Sequence, residues 1–264
     1  MPDRLLAALR RARLPEEVDA ILAALDSDQH GIREALLDAY RRLAADPRRD
    51  PGAGVRAALL RGLADRATSD DVPLLVEAVD TYLRVPPNWE EVAARLRAAA
   101  LACLAQADPP LAAYHAAALL DDAEALTGDP AVTAARVLGN LEILPPLYAH
   151  ANAGEGGQVV AECLRQLAGA PWLIVARLLD RFSLSDDEVV ELGLIDMLLE
   201  HQDRARSTTP LLRLLCRARS DVFRYGAAAL VARREVGLLD ALSAHPDLGA
   251  ASAAALRDAR TLLP

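Results

Sequence analysis

The residues of this chain best suited to nucleophilic or metal chemistry are three cysteines and five histidines, and their spacing argues against both uses. Cys103, Cys163 and Cys216 lie far apart inside the apolar stretches LACLA, AECLRQL and LLRLLCR, without the CxxC spacing of a metal or redox site. They are expected to be buried filler. His30, His115, His150, His201 and His245 each stand alone, with no His partner three or four residues on, so no metal site is expected. Every one of the 29 basic residues is Arg, which closes the chain to a Schiff-base or phosphate-loop Lys. There is no GxSxG elbow, dinucleotide glycine fingerprint or Walker loop, and the glycines of GEGG (residues 154–157) follow no strand. No catalytic residue and no cofactor is expected.

Carboxylates are plentiful, but the pairs Asp70-Asp71, Glu90-Glu91, Asp121-Asp122 and Asp186-Asp187 mostly stand at helix starts, where they cap exposed N–H groups. TSDDV from Thr68 and SDDEVVE from Ser185 read as capping sequences of this kind. Arginines cluster at Arg10-Arg11-Arg13, Arg41-Arg42, Arg48-Arg49, Arg204-Arg206, Arg217-Arg219 and Arg233-Arg234. On short helices such clusters are solvated faces paired with carboxylates, and they are also the foremost candidates for contact with a partner. The only two tryptophans, Trp89 in PPNWEE and Trp172 in APWLIV, are expected at Pro-flanked helix starts, covering junctions between repeats.

The elements that must carry these residues are helices. Apolar residues recur at spacings of three and four, as in Val18, Ile21, Leu22, Leu25 and in Val189, Leu192, Ile195, Leu199, and no segment alternates as a strand would. Prolines from Pro15 to Pro246 punctuate the chain. Because Pro is tolerated in a first turn and breaks a helix interior, they predict about sixteen helices of roughly 10 to 17 residues. The chain of 264 residues is 53% hydrophobic but only 3% aromatic, so Ala, Leu and Val supply a core in which helices approach closely. A net charge of −9 disfavours nucleic acid and anionic lipid. The N-terminus lacks the apolar core of a signal peptide and no run of 18 apolar residues occurs, which predicts a soluble cytoplasmic protein without membrane contact.

The segments QHGIREALLDAYRRL from Gln29, GAGVRAALLRGLADR from Gly52, EEVAARLRAAALACL from Glu90, DPAVTAARVLGNL from Asp129, GGQVVAECLRQLAG from Gly156, DDEVVELGLIDMLL from Asp186 and SDVFRYGAAALVARR from Ser220 share one apolar pattern. Their aligned Val, Ile or Phe residues recur at irregular steps of about 30, one helix pair per step. The pattern Asp-Pro-x-Val-Arg-x-x-Ala resembles HEAT repeats of the short type found in phycobilisome-lyase-like proteins. That resemblance implies an all-α, right-handed solenoid of HEAT-like helix pairs over residues 1–264, and the glycine-rich stretch ANAGEGG at 151–157 reads either as a hinge within it or as a longer turn between helices. It also implies an Asp–Arg ladder between repeats, matched at Ile32-Arg33, Val55-Arg56 and Phe223-Arg224, with Asp221 as an acid near the last. Thr133, Val160 and Val190 replace the ladder Arg in the middle, where stacking is expected to be apolar.

In HEAT-type stacks the second helices line the concave face, so the resemblance places Tyr40, Arg41, Arg61, Arg165, Arg224, Tyr225 and Arg233 there. With Trp172 from the less regular middle, these form the expected protein-binding set. The expected function is a non-catalytic scaffold for a protein or peptide partner. Two alternatives stay open: a lyase-type accessory protein holding a chromophore or modified polypeptide, and a HEAT-like DNA glycosylase or DNA binder, which would need a continuous positive groove.

Overall fold

The computed structural model describes residues 2–25, 30–87, 89–124, 127–154 and 157–261. Among them are sixteen α-helices, joined by short turns and one two-stranded hairpin, so the fold is all-α. The helices run from 8 to 14 residues, shorter than the sequence spacing predicts. The chain divides into two compact units, residues 1–141 and 142–264.

The first unit holds α1 (Pro2–Leu9), α2 (Pro15–Ala24), α3 (Ile32–Ala44), α4 (Gly54–Leu63), α5 (Val72–Val79), α6 (Ala94–Ala107), α7 (Pro109–Leu119) and α8 (Ala131–Asn140). Alternate helices pack side by side, α2 on α4, α4 on α6 and α6 on α8, and α5 and α7 also pack against α6. A helix with neighbours on so many sides must be apolar all round. The buried run of α6 fits that demand: Ala94, Leu96, Ala98, Ala99, Ala100, Leu101, Cys103 and Leu104 are all buried, and Arg97 is the one charged residue among them. Cys103 donates its thiol proton to the Leu60 carbonyl at 3.0 Å, and burial pushes its pKa up to about 12. Cys103 is filler, as its setting predicts.

The second unit holds α9 (Leu144–Ala153), α10 (Gly157–Gln166), α11 (Trp172–Arg181), α12 (Glu188–Glu200), α13 (Arg204–Arg217), α14 (Ser220–Ala232), α15 (Val236–Ser243) and α16 (Ala250–Arg260). Again alternate helices pack together, α10 on α12, α12 on α14 and α14 on α16, while α9 packs on α11 and α13 on α15. The boundary between the units falls at Leu141, ahead of the glycine stretch 151–157, which joins α9 and α10 within one unit. Residues 155 and 156 of that stretch lie outside the described residues.

Helix starts follow the proline and carboxylate signals. Pro15, Pro73, Pro109 and Pro145 stand in first turns. Thr68 and Asp71 form a capping box, and the Asp187 carboxylate accepts from the amides of Val189 and Val190. Three expectations need correction. Pro210 lies inside α13 rather than at a break, the helix running on through it to Arg217 at the loss of the hydrogen bond its missing N–H would make. β1 (Arg84–Val85) pairs antiparallel with β2 (Glu90–Glu91) as a hairpin, where no strand is expected. Trp89 belongs to that hairpin's turn, with φ of +56° and 64% of its surface exposed, so it covers no repeat junction.

The three arginines expected to pair between repeats find different partners. Arg33 on α3 reaches the carboxylate of Asp71, next to α5, at 2.7 Å and the Thr68 hydroxyl at 2.9 Å. Arg56 turns back to buried Asp50 at 3.2 Å, in the loop preceding its own helix. Arg224 bonds Ser220, and the acid Asp221 faces Arg219 instead. Val160 and Val190 are buried, as apolar stacking requires, but their helices are joined by an ion pair as well.

Candidate functional site: charged seams on alternate helices

The first seam runs over α10, α12 and α14, and it begins with a missing side chain. A Cβ at Gly193 would stand 2.6 Å from the Ala161 carbonyl oxygen, so only Gly permits α12 to approach the α10 backbone this closely. Near that contact Arg165 meets Asp196, Nε to Oδ2, at 2.8 Å, and its Nη1 reaches Glu162 Oε2 at 2.9 Å. The second oxygen of Glu162 accepts from Gln166 Nε2 at 2.9 Å. Glu162 is buried, so these partners replace the water its charge has lost. Asp196 then accepts from the Tyr225 hydroxyl at 2.8 Å, which carries the row onto α14. One turn further, Arg233 closes α14 on Glu200 of α12, Nε to Oε1, at 3.0 Å.

Desolvation opposes the charge on Arg165, but the hydrogen bond to Asp196 and the charge of Glu162 outweigh it and raise its pKa. Partial burial, then the bond to Asp196, raises the pKa of Tyr225. Both groups are therefore fixed in their ordinary protonation states, as a cation and a neutral donor. The seam presents Tyr225, Glu200 and Arg233 to solvent above a half-buried row of paired charges.

Of the eight expected partner contacts, this arrangement brings Arg165, Tyr225 and Arg233 together. Arg224 shares α14 but turns to Ser220. Trp172 starts α11, outside the seam, with its ring edge-on to His201 at 5.4 Å between centroids. Arg61, in the first unit, pairs with Asp19 of α2 at 3.3 Å. Arg41 is exposed on α3, but its neighbour Tyr40 is only 5% exposed, and burial pushes its hydroxyl up to about 12. Tyr40 is thus a core group, because it falls on the face of α3 that also buries Leu36 and Leu43. The acids Glu162, Asp196 and Glu200 were missed as site residues. Their signal was available: Arg165, Asp196 and Tyr225 are spaced by 31 and 29 residues, the repeat step itself.

The second cluster, in the first unit, was missed entirely. Arg97 is 1% exposed and fully enclosed. Its guanidinium bonds Glu91 at 2.9 Å and Asp122 at 3.0 Å, donates to the Thr81 carbonyl at 3.1 Å, and lies 4.0 Å from the centre of the Tyr82 ring. Tyr82 in turn donates to Asp122 at 2.9 Å. Glu91 also accepts from the amides of Leu83 and Ala93. Burial pushes the Glu91 carboxyl up, but its bonds from Arg97 and the two amides hold it below the usual range. The cluster ties the hairpin to α6, and a hairpin this short would not persist alone. Its groups are committed to one another, which suits a structural role.

Other chemistry is sparsely supplied among the described residues. No three His, Cys, Asp or Glu side chains converge where they could hold a metal ion. The Cys163 thiol, like that of Cys103, is pushed up to about 12 by burial. His201 is buried between the Ala170 carbonyl at 3.2 Å and the Asp203 amide at 3.0 Å. No helix is long and apolar enough to cross a membrane. Comparison with protein-family models, with curated proteins and with solved structures found no match.

Proposed function

We propose that this chain is a cytoplasmic, non-catalytic helical-repeat scaffold of HEAT type that binds a protein or peptide partner through the face carrying the Arg165–Asp196–Tyr225 seam. The side-by-side packing of alternate helices in each unit supports the repeat reading, since solenoids are built from that neighbour contact. The observation that carries the binding role is the seam itself. Three consecutive alternate helices place Arg165, Asp196 and Tyr225 in one row, with Glu200 and Arg233 beside it. Side chains already held in a network lose little further freedom when a partner docks, and Tyr and Arg are favoured anchors for that reason. The exposed part is of mixed sign, which fits a polar, patterned protein surface better than a uniform phosphate backbone.

The test is position-dependent photocrosslinking in cells of the native organism. A photoreactive amino acid at position 225 should capture one discrete protein, the same amino acid at position 240 on α15 should not, and Arg233→Glu should abolish the capture without lowering Tm. Equal capture from both positions, or capture indifferent to Arg233→Glu, would remove the seam from the interface.

A further inference from the structure

A groove on the second unit lies outside the seam, between α11, α12 and α13, with a cavity volume of about 260 Å³. A volume of ~150 Å³ holds a benzene ring, so this one has room for more than one side chain. Leu179, Leu194 and Leu214 line its apolar part, Trp172 lines it as well, and Arg213 and Arg217 stand one helical turn apart along it on α13. The Trp172 ring is fixed from behind by its edge-on contact with buried His201, which is itself held by the Ala170 carbonyl and the Asp203 amide. The aromatic wall is therefore preorganised.

Two arginines without a bonded carboxylate line this groove together. Arg165, Arg204, Arg206, Arg233 and Arg260 each hold a carboxylate, whereas Arg177, Arg234 and Arg257 hold none among the described residues, so what marks Arg213 and Arg217 is that two such cations line one groove. Among the described residues, Arg213 and Arg217 have neither a hydrogen bond nor an ion pair, and Glu191 acts on Arg217 only through space. Two cations against the single carboxylate of Asp180 give the groove lining an excess of positive charge, on a chain whose net charge is −9. Asp180 comes from α11 and the two arginines from α13, so the opposite charges stand on different walls of the groove.

From this we infer a second docking site, distinct from the seam: the groove takes an acidic segment of a partner protein, with apolar side chains against Trp172 and the leucines and carboxylates on Arg213 and Arg217. Arg favours this pairing because its planar fork binds a carboxylate with two parallel hydrogen bonds.

A random 16-residue peptide library displayed on phage and selected against the full chain tests it, with the seam variant Arg233→Glu as a parallel target. Enriched peptides are expected to combine at least two Asp or Glu with an apolar residue. They should bind the Arg233→Glu chain normally and the Arg213→Glu/Arg217→Glu chain at least tenfold more weakly, with Trp172→Ala intermediate. Both arginines are exposed, so these variants should keep the wild-type Tm. Absence of enrichment, enrichment without acidic residues, or binding indifferent to the double variant would overturn the inference. Self-association that is lost in Trp89→Ala as well as in the double variant would assign the groove to the Trp89-Glu90 turn of a second copy, and would overturn a separate partner.

Discussion

Each unit contains the same small assembly, an Arg between two carboxylates, one of which takes a Tyr hydroxyl. In the first unit Arg97 sits between Glu91 and Asp122, with Tyr82 on Asp122. In the second, Arg165 sits between Glu162 and Asp196, with Tyr225 on Asp196. The first is sealed, its Arg 1% exposed, and the second is open, its Arg side chain 31% exposed. The difference lies in the surrounding elements. The hairpin and Asp122 enclose Arg97, while Arg165 keeps contact with water; the contrast lies at the arginines and not at the tyrosines, since Tyr82 is 59% and Tyr225 42% exposed. Similar charges therefore serve as a brace in one unit and as a displayed surface in the other. Desolvation separates the roles, because a sealed ion pair must be kept whole and an exposed one can exchange partners with little loss.

This contrast can be broken by substitution. The largest effect is expected from Arg97→Met, which leaves two carboxylates facing each other under the hairpin. Stability of the first unit should fall by about 3 kcal/mol, at the low end for a broken buried pair because Glu91 and Asp122 keep a quarter of their surface in water. Urea denaturation measures it, and a loss as small as that for Arg165 would erase the distinction. Next is Gly193→Ala, whose Cβ would press on the Ala161 carbonyl. A cost of about 2 kcal/mol is expected from overpacking, together with loss of the Arg165–Asp196 bond in the variant's crystal structure. Arg165→Met comes third, at between about 1 and 2 kcal/mol: Arg165 already keeps about a third of its surface in water, which limits the loss, but its removal takes a charged bond from buried Glu162, which keeps the one from Gln166.

The smallest effect sharpens the comparison through pH. The folded-state pKa of Glu91 is lowered, so its stabilising contribution is present above the unfolded value of ~4.3 and is lost as pH falls through the folded one. Glu191 in the second unit has the opposite sign, because burial raises its pKa, and it gains stability as pH falls through that raised value. Stability measured from pH ~7 to ~3 should therefore lose part of its acid-side decline in Glu91→Gln and steepen in Glu191→Gln. Parallel curves for the two variants would show that the carboxylates do not differ between units.

Much of the secondary structure was legible in advance, and for local reasons. Pro109 and Pro145 start helices because a first-turn residue needs no N–H, and Asp187 caps α12 because its carboxylate reaches amides two and three residues on. The hairpin was not legible, because its two-residue strands leave no alternating pattern. They exist because Arg97, six residues beyond Glu91, draws the chain back by a contact that only α6 positions.

The sequence by itself determined the helical class, most of the caps, the short turns and the repeat spacing on which Arg165 and Tyr225 fall. All of these follow from contacts within a few residues or from a period repeated along the chain. Tertiary structure alone decided which arginines are enclosed and which are displayed: that Arg97 disappears under Tyr82, that Tyr40 becomes core, and that Arg213 and Arg217 stand unpaired beside Trp172. The reason is physical. Burial and pairing depend on groups brought together from distant parts of the chain, and an Arg codes for the same charge whether water or a packed helix surrounds it.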